Sequence, residues 1–135
     1  NKAAPDRDAQ IAHSLKTWQL ISSPELGDPV QQLRARIEAA YERAHYPPGK
    51  ARQMAAIMAS GSRQKILSKI NAPTLVIHGD KDPMLPLKGA RDTAGRIPNA
   101  RLELVAGMGH DLPEALLEKL VNLILGHVGG KTATE

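Results

Sequence analysis

The sequence predicts an α/β chain: an all-helical segment over residues 1–70, then a βαβα unit over residues 71–135 with parallel strands at about 73–78 and 101–105. Three observations carry this. Apolar residues recur at three- and four-residue steps throughout the first 70 positions. Two short apolar runs, Leu75-Val76-Ile77 and Leu102-Glu103-Leu104-Val105, interrupt that pattern and are each followed by a helical stretch. Each run also ends in a Gly-containing loop that holds an acid or a histidine.

In chain order, Asn1–Asp6 is polar with a proline and reads as a frayed end. A helix follows from Asp8, with Ile11, Leu15, Trp18 and Ile21 on one face and Asp6 or Asp8 as its cap. Ser22-Ser23-Pro24 and Gly27-Asp28-Pro29 break the chain, because proline disfavours helix at the preceding residue. A second helix over about Pro29–His45 carries Val30, Leu33, Ile37, Tyr41 and Ala44, and Tyr46-Pro47-Pro48-Gly49 stops it. A third, about Lys50–Ser60, carries Met54, Ile57 and Met58, and Ser62 caps a short fourth through Leu67.

Beyond these lies Ala72-Pro73-Thr74-Leu75-Val76-Ile77, short, continuous and rich in β-branched residues, as a strand covered on both faces requires. Leu87–Arg96 reads as a helix, Ile97-Pro98-Asn99-Ala100 as a turn, and Arg101–Val105 as the second strand. From Pro113 an apolar helix runs to about Leu125, ended by Gly126, Gly129 and Gly130 ahead of a disordered tail. A right-handed crossover makes the two strands parallel and puts the loops after them at the same edge of the sheet.

Composition narrows the function classes. There is no Phe, so the core is aliphatic. There is no Cys, which removes disulfides, thiolate metal sites and a thiol nucleophile, and fits a reducing, cytoplasmic setting. No apolar run reaches the roughly 18–20 residues that span a bilayer, and no charged-apolar-small leader opens the chain. The formal charge is +4, but the basic residues are scattered at helical spacings, without a dense cluster or interleaved aromatics. That pattern is a solvated surface and argues against nucleic acid as a partner.

The chemistry concentrates in the two loops. In His78-Gly79-Asp80-Lys81-Asp82-Pro83-Met84-Leu85-Pro86, Pro83 pushes Asp82 into extended geometry and holds its carboxylate in place. Asp80 is its rival, and an Asx turn accounts for either acid. In Gly107-Met108-Gly109-His110-Asp111-Leu112-Pro113, the glycines permit positive φ and close backbone approach. A general base needs one accessible imidazole nitrogen and a carboxylate on the other. A carboxylate and an imidazole on neighbouring strand ends are two thirds of a nucleophilic triad. His78, Asp80, Asp82 and His110 match no ligand-spacing motif for a metal, and the reading calls for no cofactor. The methionines read as core or pocket lining, with Met84 and Leu85, beside Asp82, as candidate substrate-pocket residues.

Residues 70–113, from Ile70-Asn71-Ala72-Pro73-Thr74-Leu75-Val76-Ile77 through Gly79-Asp80-Lys81-Asp82 to Gly107-Met108-Gly109-His110, resemble the C-terminal part of α/β-hydrolase-fold enzymes, closest to cap-bearing esterase and lipase-like members. The resemblance implies that Asp82, in the family's Gly-x-x-Asp pattern, is the triad acid, and that His110, in Gly-x-Gly-His, is the general base. It implies a small ester-type substrate, and makes residues 1–70 much of a helical cap and 71–135 the C-terminal part of the core.

One departure stands out. The family places its nucleophile first, on a Gly-x-Ser-x-Gly elbow, and none of Ser14, Ser22, Ser23, Ser60, Ser62 or Ser68 sits in one. The expectation is therefore a C-terminal fragment that carries acid and histidine and is inert alone. The alternative is a non-catalytic, self-associating interaction module, since two parallel strands leave an open edge and an uncovered apolar face. Either way the expected partner is a second copy or the missing N-terminal half.

Overall fold

The computed structural model describes residues 6–130, so the terminal stretches expected to be frayed or disordered lie largely outside the described residues. The element order is α1 (Arg7–Ile21), α2 (Val30–Ala44), α3 (Pro47–Ser60), α4 (Gln64–Leu67), β1 (Leu75–Gly79), α5 (Leu87–Arg96), β2 (Arg101–Val105), a 3-10 turn (Glu114–Leu116) and α6 (Leu117–Val128). Two compact units result. One takes the chain up to Leu20 together with Pro29–Arg63; the other takes Ile21–Asp28 together with Gln64 onward.

In the first unit, Asp6 is the cap of α1: its Oδ1 accepts the N–H of Ala9 at 2.7 Å. Arg7 then donates to Glu42 of α2 at 2.7 Å and lies 5.8 Å from the centre of the Tyr41 ring. Ile11 and Ile37 are its buried apolar residues. The α3 helix begins at Pro47, three residues earlier than the sequence suggests, because prolines at the first two helical positions lack only N–H groups that no helix uses. Its side chains Met54, Ile57 and Met58 are exposed.

The second unit holds the sheet. β1 and β2 pair in parallel, Leu75 opposite Arg101 through Gly79 opposite Val105, so the two loops emerge side by side. The predicted 73–78 strand starts at Leu75 and runs on to Gly79. Thr74 still contributes, its carbonyl accepting the N–H of Arg101 at 2.9 Å. α5 packs against both strands. On the core side, Val105, Met108 and Leu120 form a buried cluster with Ile77, Leu116 and Leu123 against it. Met108 is the one methionine in this core; Met54, Met58 and Met84 are exposed.

The last helix departs from expectation at both ends. Its first turn after Pro113 is 3-10, and α6 continues through Gly126 to Val128. A helical glycine costs only about 1 kcal/mol relative to Ala, and the stop falls instead at Gly129, whose N–H bonds to the carbonyl of Leu125 at 2.8 Å. Leu117, Val121, Ile124, Leu125 and Val128 are all exposed on α6. No helix among the described residues is long and apolar enough to cross a membrane.

Candidate active site

The site begins at the C-terminal ends of β1 and β2, where the parallel register sets Gly79 beside Val105. Backbone bonds lace the loops together just beyond. The N–H of Asp80 reaches the carbonyl of Val105 at 3.2 Å, and that of Lys81 reaches Met108 at 3.0 Å. Gly107 takes φ 75°, the left-handed conformation its position in the sequence allows. Gly109 does not; its lack of a side chain serves close approach, because a Cβ there would lie 2.6 Å from the backbone nitrogen of Ser23.

The two acids of the first loop take different tasks. Asp80 Oδ1 accepts the N–H of Gly107 at 2.7 Å, joining loop to loop. Asp82 faces the histidine: its Oδ2 lies 2.8 Å from His110 Nδ1. Its other oxygen accepts the N–H groups of Met84 and Leu85 at 2.8 and 2.9 Å. The Asx turn and the histidine contact thus belong to one carboxylate, one oxygen each. His78, buried on β1, also reaches this turn, its Nε2 3.1 Å from the Leu85 carbonyl.

The Asp82 side chain is 6% exposed and that of His110 33%. Burial pushes the Asp82 carboxyl pKa upward, but the bond from His110 and the N–H groups of Leu85 and Met84 outweigh it, and the pKa lies below the ordinary carboxylate value. Ionised, the carboxylate is acceptor-only, so Nδ1 of His110 carries the proton. Nε2 is left with its lone pair in the neutral ring, and it has no hydrogen-bond partner among the described residues. This is the tautomer a general base needs.

Met84 and Leu85 are placed by their backbones on Asp82, and each residue is 53% exposed. Of the serines, Ser60 bonds back to the carbonyl of Ala56 at 2.7 Å. Ser23 is the residue that sequence reasoning passes over. It is buried, with Oγ 2.6 Å from Asp111 Oδ1 and accepting the N–H of Gly109 at 2.8 Å. Only its position before a proline marks it in the sequence, and that signals no more than a turn.

Comparison with known proteins places the parallel strand pair and its helices in a known fold. A family model for the α/β-hydrolase fold matches residues 5–114, and the chain belongs to that family. Rhodomycin D methylesterase of Streptomyces peucetius is 41% identical over 71 residues, which are 53% of this chain and 24% of that protein. A poly(3-hydroxyalkanoate) depolymerase of Ectopseudomonas oleovorans is 54% identical over 39 residues, 29% of this chain and 14% of that one. A non-heme chloroperoxidase, CPO-A1, of Kitasatospora aureofaciens is 43% identical over 47 residues, 34% of this chain and 17% of its own. The crystal structure of a serine hydrolase involved in carbazole degradation (CarC) shares the fold. Its TM-score is 0.63 at 17% identity, over 93% of this chain and 48% of that one. The chain spans about a quarter of the length of the first curated relatives it matches.

Proposed function

We propose that Asp82 and His110 are the acid and general base of a Ser-His-Asp triad in a serine hydrolase that cleaves carboxylic esters, and that the nucleophile lies outside these 135 residues. The observation that carries the reading is the 2.8 Å contact between Asp82 Oδ2 and His110 Nδ1, with an accessible imidazole. Nε2 of His110 takes the proton of the attacking hydroxyl, and Asp82 stabilises the imidazolium that forms. Nε2 then gives the proton to the departing alcohol oxygen, and water repeats the cycle to release the acid. Similarity to a methylesterase favours an ester as substrate. Met84 and Leu85, exposed beside Asp82, are candidates for the substrate pocket, and the helices ahead of residue 70 for part of a cap.

The absence of a Gly-x-Ser-x-Gly elbow among these residues and the burial of Ser23 against Asp111 support the reading that this chain is inert by itself. Short-chain nitrophenyl esters test the proposal, assayed with the chain alone and with a polypeptide that supplies the elbow-bearing half of an α/β-hydrolase. No turnover is expected from the first, and turnover abolished by His110→Ala from the second. Ester cleavage by the isolated chain that survives His110→Ala would overturn the assignment.

A second reading, a self-associating module, draws on a different observation. β1 is paired on one side only among the described residues, and α6 exposes a run of large apolar side chains. Light scattering decides it: a monomer at high concentration removes this reading.

A further inference from the structure

The bond to Asp82 orients the His110 ring, but the backbone that carries the ring is held from elsewhere. Residues 21–23 lie against residues 109–111 through four hydrogen bonds. His110 N–H donates to the carbonyl of Ile21 at 2.7 Å. Gly109 N–H donates to Ser23 Oγ at 2.8 Å. Both donors of Ser23 then converge on one carboxylate oxygen, Asp111 Oδ1, from the hydroxyl at 2.6 Å and from the N–H at 2.9 Å. The residue before the histidine, the histidine itself and the residue after it are each tied down by this segment.

Ser23 is the centre of the arrangement. It is 3% exposed, and its hydroxyl accepts on one side and donates on the other, relaying the Gly109 N–H to a carboxylate. A bond of this length to a charged acceptor is among the stronger kinds. The close approach that Gly109 permits lets the two backbones sit at this distance. A ring whose Cα drifted by about 1 Å would lose its aim at Asp82 and at a reacting group.

We infer that Ser23, acting with Asp111, is a positioning residue that sets the backbone of His110 so that its Nδ1 meets Asp82. The inference rests on the proposed pairing of His110 with Asp82. It assigns Ser23 no contact with substrate and no part as nucleophile.

The test is nuclear magnetic resonance on the ¹⁵N-labelled 135-residue chain, which needs no turnover. Two quantities are read: the low-field Nδ1–H signal of His110, identified by its loss in His110→Ala, and the exchange rates of the Gly109 and His110 amides. Ser23→Ala is expected to lose the low-field signal and to speed exchange of both amides by about tenfold or more. Asp111→Ala, which removes the same acceptor from the other side, is expected to do likewise and serves if Ser23→Ala does not fold. Asp111→Asn keeps an acceptor oxygen and is expected to retain the signal. Ile97→Val, a conservative change at a buried residue ahead of β2 and so at the opposite end of that strand from the loop, should leave it unmoved.

A Nδ1–H signal unchanged in both Ser23→Ala and Asp111→Ala overturns the inference and leaves the Asp82–His110 pair standing. A wild-type chain with no such signal, or one that survives His110→Ala, overturns the pair itself and the inference with it.

Discussion

The carboxylate of Asp80 accepts the N–H of Gly107 at 2.7 Å, across 27 residues of sequence and between the loops that end the two strands. With the backbone bonds from Asp80 to Val105 and from Lys81 to Met108, this contact fixes the spacing at which the second acid, Asp82, meets the histidine. Asp80→Ala is expected to lower unfolding stability by about 1 kcal/mol, the usual net worth of such a bond. Asp80→Asn keeps the acceptor and should cost less. The urea midpoint at unchanged denaturant slope is the measurement.

Asp82 makes stability depend on acid. Its folded pKa lies below the ordinary value because the bonds from His110, Leu85 and Met84 overcome its desolvation. A depressed carboxyl contributes stability that is fully present above its unfolded pKa of about 4 and is lost as pH falls through the folded value. Wild type should therefore lose stability relative to Asp82→Asn below about pH 4. Above that the gap between them should stay constant from this group. Denaturation curves taken across the range read the difference directly, and parallel profiles would contradict it.

Gly109→Ala should be among the most damaging single changes. Its Cβ would lie 2.6 Å from backbone atoms of Ser22 and Ser23 and 2.8 Å from the Ile21 carbonyl oxygen, and backbone cannot step aside as a side-chain tip can. A loss of about 3 kcal/mol or more is expected, beyond the common range for point changes. Thermal unfolding followed by circular dichroism checks it.

Two leucines of α6 should behave oppositely. Leu120 is buried with Val105 and Met108, and Leu120→Ala is expected to cost about 2–5 kcal/mol. Leu125 is exposed, so Leu125→Lys should change stability by no more than about 0.5 kcal/mol. If the α6 surface mediates association, Leu125→Lys should also lower the light-scattering mass at high concentration.

Much of the site could be read from the sequence because its signals are local. Leu75–Ile77 and Arg101–Val105 announce strands, and a single helix between them makes those strands parallel. Parallel neighbours bring their following loops together, so an acid after one and a histidine after the other must lie close. What spacing left open was which acid it is. Geometry assigns the histidine to Asp82 and the loop bond to Asp80.

Ser23 was beyond reach for the opposite reason. Its partner stands 88 residues away, and Ser-Ser-Pro carries the same turn signal whether or not a carboxylate waits for it. The ends of α3 and α6 differed because proline in a first turn lacks only an N–H that the helix does not use, and glycine within a helix costs only about 1 kcal/mol.

The chain leaves its strand-bearing unit after Asp28 and re-enters it at Gln64. Asp28 is itself fastened there, its Oδ1 accepting the N–H of Glu114 at 2.9 Å, as Ser23 is fastened to Asp111. At the other end Gln64 Nε2 donates to Asp92 Oδ2 at 3.4 Å, so both ends of the excursion are anchored within one folded body. The entropy of closing such a loop grows only with the logarithm of its length. Residues 29–63 can then lengthen, shorten or be exchanged across evolution at small thermodynamic expense, while the strands and their loops keep one geometry. Variety in the helices and constancy at the strand ends become separable traits in a single gene.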